Sequence, residues 1–176
     1  MRNIRYQCIR YCETVTLLAS ELYSKGSKMT LKTICNREVL IAQKYDTLVE
    51  AAKLMREYQV GSIVVVEEQN GVRYPVGLVT DRDLVIEVIA KEVDINSVTL
   101  GDVMYRDIIL GKENDDVNET IKIIRQKGIR RLPVVDDNGA LVGIVTLDDL
   151  IDLIAEQLKD IAVLIGKQQN VEKRYR

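Results

Sequence analysis

The sequence predicts an α/β (α+β) fold made of two β-α-β-β-α repeats, with a helix added at the N-terminus. The clearest sign is a duplicated segment. Gly77–Leu84 reappears as Gly143–Leu150, and in both copies a β-branched run ends at a Thr that an Asp follows three residues later. Around this segment, an offset of 69 residues aligns Leu48–Glu68 with Val117–Asp137. Helix caps, turns and apolar stripes keep the same register in both halves, which indicates an internal duplication.

Composition excludes several classes of function. Apolar residues make up 47% of the 176 residues and charged residues 30%, as in ordinary globular proteins. The net charge of −2 argues against general nucleic-acid binding. The chain has no His, so the commonest metal ligand and the usual general base are missing, and we predict neither a catalytic nor a metal site. Three cysteines, no clear secretion signal and no apolar run of about 18 residues favour a cytoplasmic protein outside the membrane.

Residues 1–30 are predicted to form an N-terminal extension, best described as an amphipathic helix. Cys8 and Cys12 lie one helical turn apart, and two thiols without further ligands favour packing over metal binding. Met29 is an alternative starting residue, because repeat-like sequence begins directly after it, and the sequence leaves this open. The apolar positions that recur every three or four residues are Ile4, Cys8, Tyr11, Val15, Leu18 and Leu22.

The first repeat is expected to occupy residues 31–98. Its first helix opens with a capping box formed by Thr47 and Glu50. Asn70–Gly71 is a turn signal between two strands, and a second helix begins at Thr80. The predicted strands are Val39–Ala42, Ser62–Val66 and Val76–Val79.

The second repeat is expected to occupy residues 99–165 in the same order of elements. Asp116 and Glu119 take the places of the cap residues, and Gly128 is a natural helix end. The predicted strands are Asp107–Leu110, Leu132–Val135 and Leu141–Val145.

The last helix is predicted to be longer than its counterpart in the first repeat. Its apolar stripe continues from Ile151 to Ile165, ahead of a polar tail at residues 166–176. Either a second copy of the chain, giving a homodimer, or residues 1–28 could cover this stripe.

The duplicated pattern resembles a cystathionine-β-synthase (CBS) domain pair over about residues 32–160. The resemblance rests on "GIRRLPVVD" in the second copy and on G-h-V-T-x-x-D-L in both. It implies that the two repeats pack sheet against sheet about a pseudo-twofold axis. It also implies two clefts between the repeats, which commonly bind adenosine-containing ligands, in a module that acts as a sensor.

The repeated Thr and Asp suit ribose and phosphate chemically. A carboxylate on the first turn of a helix can accept hydrogen bonds from both hydroxyls of a ribose, and the N–H groups of that turn, together with the Thr hydroxyl, can bind a phosphate. The resemblance assigns these roles to Thr80 and Asp83 in one cleft and to Thr146 and Asp149 in the other.

Further ligand contacts are implied only by the resemblance. Arg130 and Arg131, directly before the "LPVV" strand, match phosphate contacts, as does Arg82. The first copy has Gly61 and Ser62 in the places of these two arginines, so the two clefts are expected to differ. Main-chain groups of Leu40–Ala42 and Ile109–Gly111 match loops that line the adenine, which singles out Ile41, Ala42, Leu110 and Gly111.

Two functional hypotheses follow. The first is a regulatory module, not an enzyme, that binds AMP, ADP or ATP, with S-adenosylmethionine and NADH as further candidates. It needs no cofactor, and it forms a homodimer that signals to a regulated protein the sequence does not name. The alternative is an interaction or structural module in which each Thr-x-x-Asp motif only caps a helix.

Overall fold

The computed structural model describes residues 6–8 and 28–174, with side chains from residue 28 to residue 168. Its strands are β1 (Tyr6–Cys8), β2 (Glu38–Ala42), β3 (Ser62–Gln69), β4 (Val72–Thr80), β5 (Gly111–Lys112), β6 (Arg131–Val135) and β7 (Leu141–Thr146). Its helices are α1 (Leu31–Ile34), α2 (Leu48–Tyr58), α3 (Asp81–Asp83, continued by π-helical turns over Leu84–Ile89), α4 (Leu100–Val103), α5 (Val117–Lys127) and α6 (Leu147–Arg174).

Each repeat contributes one sheet, and the two sheets share a topology. In the first sheet, of order β1-β2-β3-β4, β2 runs parallel to β3, and β3 runs antiparallel to β4. In the second sheet, of order β5-β6-β7, β5 is parallel to β6, and β6 is antiparallel to β7. Asn70, Gly71 and Gly139 adopt positive φ angles in the two hairpin turns, as their residue types favour. The duplicated fold predicted from the sequence is therefore confirmed.

The helices α2 and α5 begin as their sequences predict, and α5 also ends where the sequence predicts. Thr47 accepts a hydrogen bond from the Glu50 N–H at the start of α2, and Asp116 accepts one from the Glu119 N–H at the start of α5. At the end of α5, Gly128 takes the left-handed conformation that a glycine tolerates without strain.

The predicted strand at Asp107–Leu110 is wrong, because the strand of this region is β5, which begins at Gly111. In the first repeat, Ile41 pairs with Val64. The equivalent position of Val64 in the second repeat is Pro133, which has no N–H to donate. The parallel ladder therefore begins one residue later, where Gly111 pairs with Val134.

The predicted N-terminal helix is contradicted at Tyr6–Cys8, which form a strand antiparallel to β2. Without β1, the outer edge of β2 would present unpaired N–H and C=O groups, and an added strand satisfies them. The remaining residues of the predicted extension before Lys28, with Cys12 among them, lie outside the described residues.

The two sheets pack face to face through a small apolar cluster. Val39, Ile41 and Val64 from the first sheet lie against Ile144 of β7, and all four are buried. The other side of each sheet packs on the helices of its own repeat, which form two separate cores. This arrangement confirms the sheet-to-sheet packing that the resemblance implied.

The short helices α1 and α4 each cross to the opposite repeat. Leu31 of α1 is fully buried in the core of the second repeat, and Leu100 of α4 is fully buried in the core of the first. The backbone bonds are reciprocal, since the Leu31 N–H donates to Asp115 at 3.0 Å and the Leu100 N–H donates to Asp46 at 3.0 Å. The exchange ties the two repeats into one folded unit.

The C-terminal helix α6 contains 28 residues and runs through most of the predicted polar tail. Leu150 and Leu153 pack on the second core, while the residues beyond them project. Among the described helices, none has both the length and the apolar character needed to cross a bilayer.

Candidate functional site

The first candidate site residues, Thr80 and Asp83, form a closed capping box where β4 meets α3. Asp83 Oδ2 accepts hydrogen bonds from the Thr80 N–H at 2.8 Å and from the Thr80 hydroxyl at 2.7 Å. The Asp83 N–H donates back to Thr80 Oγ1 at 3.3 Å. The hydroxyl proton is thus committed to Asp83. These bonds use one carboxylate oxygen, and no hydrogen bond from the described residues reaches the other, Oδ1.

Thr146 and Asp149 repeat this geometry where β7 meets α6. Asp149 Oδ2 accepts from the Thr146 N–H and from the Thr146 hydroxyl, both at 2.7 Å, and the Asp149 N–H lies 3.2 Å from Thr146 Oγ1. Both Asp side chains are half-buried. The two candidate sites therefore have the same hydrogen-bond geometry, and in each the Asp Oδ1 is the remaining acceptor.

A third Thr-x-x-Asp pair shows what the geometry does by itself. At the start of α4, Asp102 Oδ2 accepts from the Thr99 N–H at 2.8 Å and from the Thr99 hydroxyl at 2.7 Å. These bonds from Thr99 hold the pKa of the Asp102 carboxyl below its ordinary value. Asp102 lies outside the duplicated G-h-V-T-x-x-D segment, so this pair provides an internal control for capping.

Each of the two candidate helix starts is hydrogen-bonded to the residue directly before the first strand of the hairpin that leads into it. The Asp81 N–H donates to the Gly61 carbonyl at 3.2 Å, and the Leu147 N–H donates to the Arg130 carbonyl at 2.9 Å. In the same sheets, Thr80 pairs with Ser62, and Thr146 pairs with Arg131. The start of a strand and the start of a helix therefore form one surface in each repeat.

Arg131 reaches from one repeat to the other. Its backbone pairs with Thr146, while a methyl group placed on Gly61 of the first repeat would lie 3.0 Å from Arg131 Nη2. The same methyl group would lie 3.0 Å from a carboxylate oxygen of Asp81, which directly follows Thr80. Any side chain at Gly61 would therefore crowd the guanidinium, and glycine keeps this space open.

Gly61 and Asp81 lie beside the candidate site, and the sequence did not reveal them. Their equivalents in the second repeat are Arg130 and Leu147, so the duplication gave no reason to select them. Their importance follows from where the Arg131 side chain points, which is a tertiary property.

The other predicted arginines are at the surface. Arg82 lies on the first turn of α3 and Arg130 directly precedes β6, and both are exposed. Each lies next in sequence to a residue of the surface described above, and a phosphate contact by either side chain remains a prediction.

The predicted adenine-lining residues lie farther along the sheets. Ile41 pairs with Val64, two residues along β3 from the Ser62–Thr80 pair, which is about 7 Å. Ala42 is one residue farther again, next to Val65, and is buried.

In the second repeat, Gly111 pairs with Val134, three residues from the Arg131–Thr146 pair, or about 10 Å. Leu110 is 40% exposed beside it. The structure does not bring these residues level with the Thr and Asp, so their adenine contacts remain predictions.

Two surface hollows occur elsewhere on the described part of the chain. One, of about 310 Å³, is lined by residues including Lys44, Thr99 and Arg106. The other, of about 550 Å³, lies along Gln43 and the β3–β4 hairpin. Neither contains the duplicated Thr and Asp residues. Both hollows are open to solvent, whereas a small-molecule site usually encloses most of its ligand, so the candidate site lies at the duplicated Thr and Asp residues.

Comparison with known proteins identifies the fold. A family model described as "CBS domain" matches residues 31–90 and again residues 100–156, which together exceed half of the chain. The chain belongs to the CBS domain family. Its two matches correspond to the two repeats, and each includes one of the candidate Thr-x-x-Asp motifs.

Three similar proteins place the chain among CBS domain proteins. An uncharacterized protein of Methanopyrus kandleri is 42% identical over 120 residues, which cover 68% of this chain and 60% of that protein. Hypoxic response protein 1 of Mycobacterium tuberculosis is 31% identical, over 69% of this chain and 82% of that protein. A CBS domain pair solved in complex with 5′-methylthioadenosine and S-adenosylmethionine is 26% identical, with a TM-score of 0.64 over 74% of this chain and 99% of that one.

Proposed function

We propose that this CBS domain pair is a regulatory module that binds an adenosine-containing ligand of the AMP, ADP or ATP type and signals to a partner protein. The observation that carries the proposal is the position of Arg131. It begins beside Thr146 in the second repeat and ends beside Asp81 in the first. A ligand held there contacts both repeats at once, as a sensor of their relative position requires.

The carboxylates provide the ribose contact. Asp83 and Asp149 each use Oδ2 to cap a helix, and that bond fixes the orientation of the carboxylate. Oδ1 retains two lone pairs, enough to accept from both hydroxyls of a ribose. Because the carboxylate is charged, each such bond is stronger than one between neutral groups.

The arginines provide the phosphate contact. The hydroxyls of Thr80 and Thr146 already donate to their Asp partners, so a phosphate must take its donors elsewhere. Arg131 offers a planar guanidinium that can form two parallel bonds to a phosphate. A carboxylate oxygen of Asp81 lies close to the same point, so its negative charge would compete with the phosphate for Arg131.

A relative supports the ligand class. The CBS domain pair that is 26% identical holds 5′-methylthioadenosine and S-adenosylmethionine. Both ligands contain an adenosine-derived nucleoside, and neither carries a phosphate. The adenosine part is therefore the better supported half of the proposal, and S-adenosylmethionine stays among the ligands to test.

A second candidate function is an interaction module without a ligand. The Thr99–Asp102 pair favours it, because the same geometry there serves as a cap at a position for which the family pattern implies no ligand. In this case all three Thr-x-x-Asp pairs would contribute only to helix stability.

In this proposal the site catalyses no reaction, and the chain forms a homodimer. Asp and Arg side chains that bind ribose and phosphate need no nucleophile or general base to act as a sensor. Ile151, Ile154 and Leu158 are exposed on α6 and would be covered by a second copy.

A thermal-shift panel tests the proposal. AMP, ADP, ATP, adenosine, S-adenosylmethionine and NADH are each added to the full chain at rising concentration. A ligand at a hundredfold excess over its Kd adds about 2.7 kcal/mol to the free energy of unfolding. We expect at least one adenosine compound to raise the melting temperature of the wild type. In Arg131→Ala, the shift caused by nucleotides should be smaller than in the wild type, and the shift caused by adenosine should be unchanged. No shift with any compound would favour the interaction module.

A further inference from the structure

The outer part of α6 projects from the folded body of the repeats. Every described side chain from Leu158 to Gln168 is exposed, whereas Leu150 and Leu153 lie in the second core. The corresponding helix of the first repeat contains only nine residues, from Asp81 to Ile89. At 1.5 Å per residue, the exposed stretch extends about 16 Å beyond the packed part of the helix.

This projecting stretch is too apolar for a helix in water. Ile161, Leu164 and Ile165 are each more than half exposed, and the run from 161 to 165 contains no polar residue. A helix without tertiary contacts is only marginally stable, and helical stability in proteins comes mostly from packing of an apolar face.

The apolar residues form a coiled-coil seam. Their spacing alternates between three and four residues, which is the heptad pattern that drives helices to pack knobs into holes. The small side chains of Ala155 and Ala162 flank the seam and allow a close approach. The seam residues are Ile151, Ile154, Leu158, Ile161 and Ile165, and the next seam position is Gln168.

The charge distribution along α6 selects the direction of pairing. The first half of the helix, residues 147–160, carries five carboxylates and one lysine, whereas residues 161–174 carry three cations and one carboxylate. A parallel pair would place the two acidic halves side by side. An antiparallel pair places each acidic half beside a basic half and also opposes the two helix dipoles.

The same direction gives a consistent register. When Leu158 of one copy lies opposite Ile161 of the other, Ile154 lies opposite Ile165, and all four central layers are apolar. That register also sets Asp152 level with Lys167 of the second copy. Apolar layers and opposite charges therefore agree on one alignment.

We propose that two copies of this chain pair through α6 as an antiparallel coiled coil, with Leu158 of one copy packed against Ile161 of the other. The inference specifies the homodimer included in the proposed function, and it is independent of nucleotide binding. We assign a second copy of the chain as the partner of α6, because a reversed copy of this helix presents the complementary charge pattern.

Cysteine crosslinking tests the direction. In full-length chains whose three native cysteines are replaced by alanine, Ile154→Cys and Ile165→Cys are made separately, one with an affinity tag that changes its mass. A short bismaleimide should link the mixed variants into a 154–165 heterodimer and leave each variant alone largely unlinked. Ile123→Cys is the matched control, because Ile123 is an exposed isoleucine (43%) on α5, away from the seam.

The crosslinked products distinguish the direction of pairing from pairing through α6 itself. Strong linking of Ile154→Cys to itself would show parallel pairing and overturn the proposal while leaving a homodimer. Linking no greater than in the Ile123→Cys control would overturn pairing through α6 altogether. Light scattering of Leu158→Asp should show a monomer, and a dimer there would also contradict the proposal. Adenosine-compound binding by Leu158→Asp shows separately whether the sensor function stands.

Discussion

Leu31 and Leu100 occupy equivalent positions in the two repeats, and each is fully buried in the core of the other repeat. The segments that carry them form matching bonds, since the Asn36 N–H donates to Ile144 at 2.9 Å and the Tyr105 N–H donates to Leu78 at 2.9 Å. Neither core is complete without residues from the other repeat. The pair should therefore unfold as a single unit.

Leu31→Ala and Leu100→Ala test this coupling. Each removes a large side chain from a fully packed position and should lower the free energy of unfolding by about 2–5 kcal/mol. Urea denaturation followed by circular dichroism and by tyrosine fluorescence should give coincident transitions in both variants. Separate transitions for the two probes would show that the repeats unfold independently.

Glycine substitutions test the close approach of the crossing segments. A methyl group on Gly143 would lie 2.8 Å from the Asn36 carbonyl oxygen, which already accepts a bond from the Ile144 N–H and cannot retreat. On Gly77, the three nearest atoms all belong to the side chain of Met104, which can change its rotamer, whereas a backbone carbonyl cannot. Gly143→Ala should therefore destabilise by about 1–3 kcal/mol, and Gly77→Ala by less.

Gly166→Ala is the matched control for these variants. Nothing lies within 4 Å of its added methyl group, and it sits in α6. Alanine should stabilise the chain there by about 0.4–1 kcal/mol. Equal losses in Gly77→Ala and Gly143→Ala would contradict the explanation from backbone contact.

The features that depend on local chemistry could be predicted from the sequence. The caps at Thr47 and Asp116, the helix end at Gly128 and the duplicated Thr-x-x-Asp pairs all follow from residue types at fixed spacing. The crossing of Leu31 could not be predicted in this way, because an apolar residue before a strand does not show which core will receive it. The direction of the Arg131 side chain is hidden for the same reason.

The strand error in the second repeat has a different cause. Asp107–Leu110 contains enough apolar residues to suggest a strand, but a strand needs a partner with donors in the right places. Pro133 removes one donor from β6, and β5 is shortened to Gly111–Lys112. The sequence of residues 107–110 alone does not show which donors the neighbouring strand offers.

Truncation to a chain that begins at Met29 tests the role of the N-terminus. Met29 packs on the second core, and its carbonyl accepts a bond from the Val117 N–H at 3.1 Å. Because these contacts survive, we expect the shortened chain to unfold cooperatively and bind adenosine compounds as the full chain does. A loss of cooperative unfolding would show that residues 1–28 supply part of the core.

Cys35 should react slowly with thiol reagents. Burial raises the pKa of the Cys35 thiol above its ordinary value, so less of the reactive thiolate is present near neutral pH. The Cys35 thiol therefore ionises at a lower pH in the unfolded chain than in the folded chain. Its contribution to the free energy of unfolding is lost as the pH rises from the ordinary thiol pKa to the raised pKa of the folded chain. Peptide-resolved alkylation at pH 8 should be at least about tenfold slower in the folded chain than in urea. Equal rates would mean that the thiol is open to solvent.

Calorimetric titration with AMP of the wild type and of three Asp→Asn variants tests the sensor account most directly. In Asp83→Asn and Asp149→Asn, asparagine can still accept the capping bonds, so each should cost about 1 kcal/mol of stability or less. Loss of a charged ribose contact, about 1.5–3 kcal/mol, should weaken AMP roughly ten- to a hundredfold at the altered site. Asp102→Asn should bind AMP as the wild type does. Unchanged AMP affinity in all three variants, with lowered melting temperatures, would mean that every Thr-x-x-Asp pair is only a cap and would contradict the account.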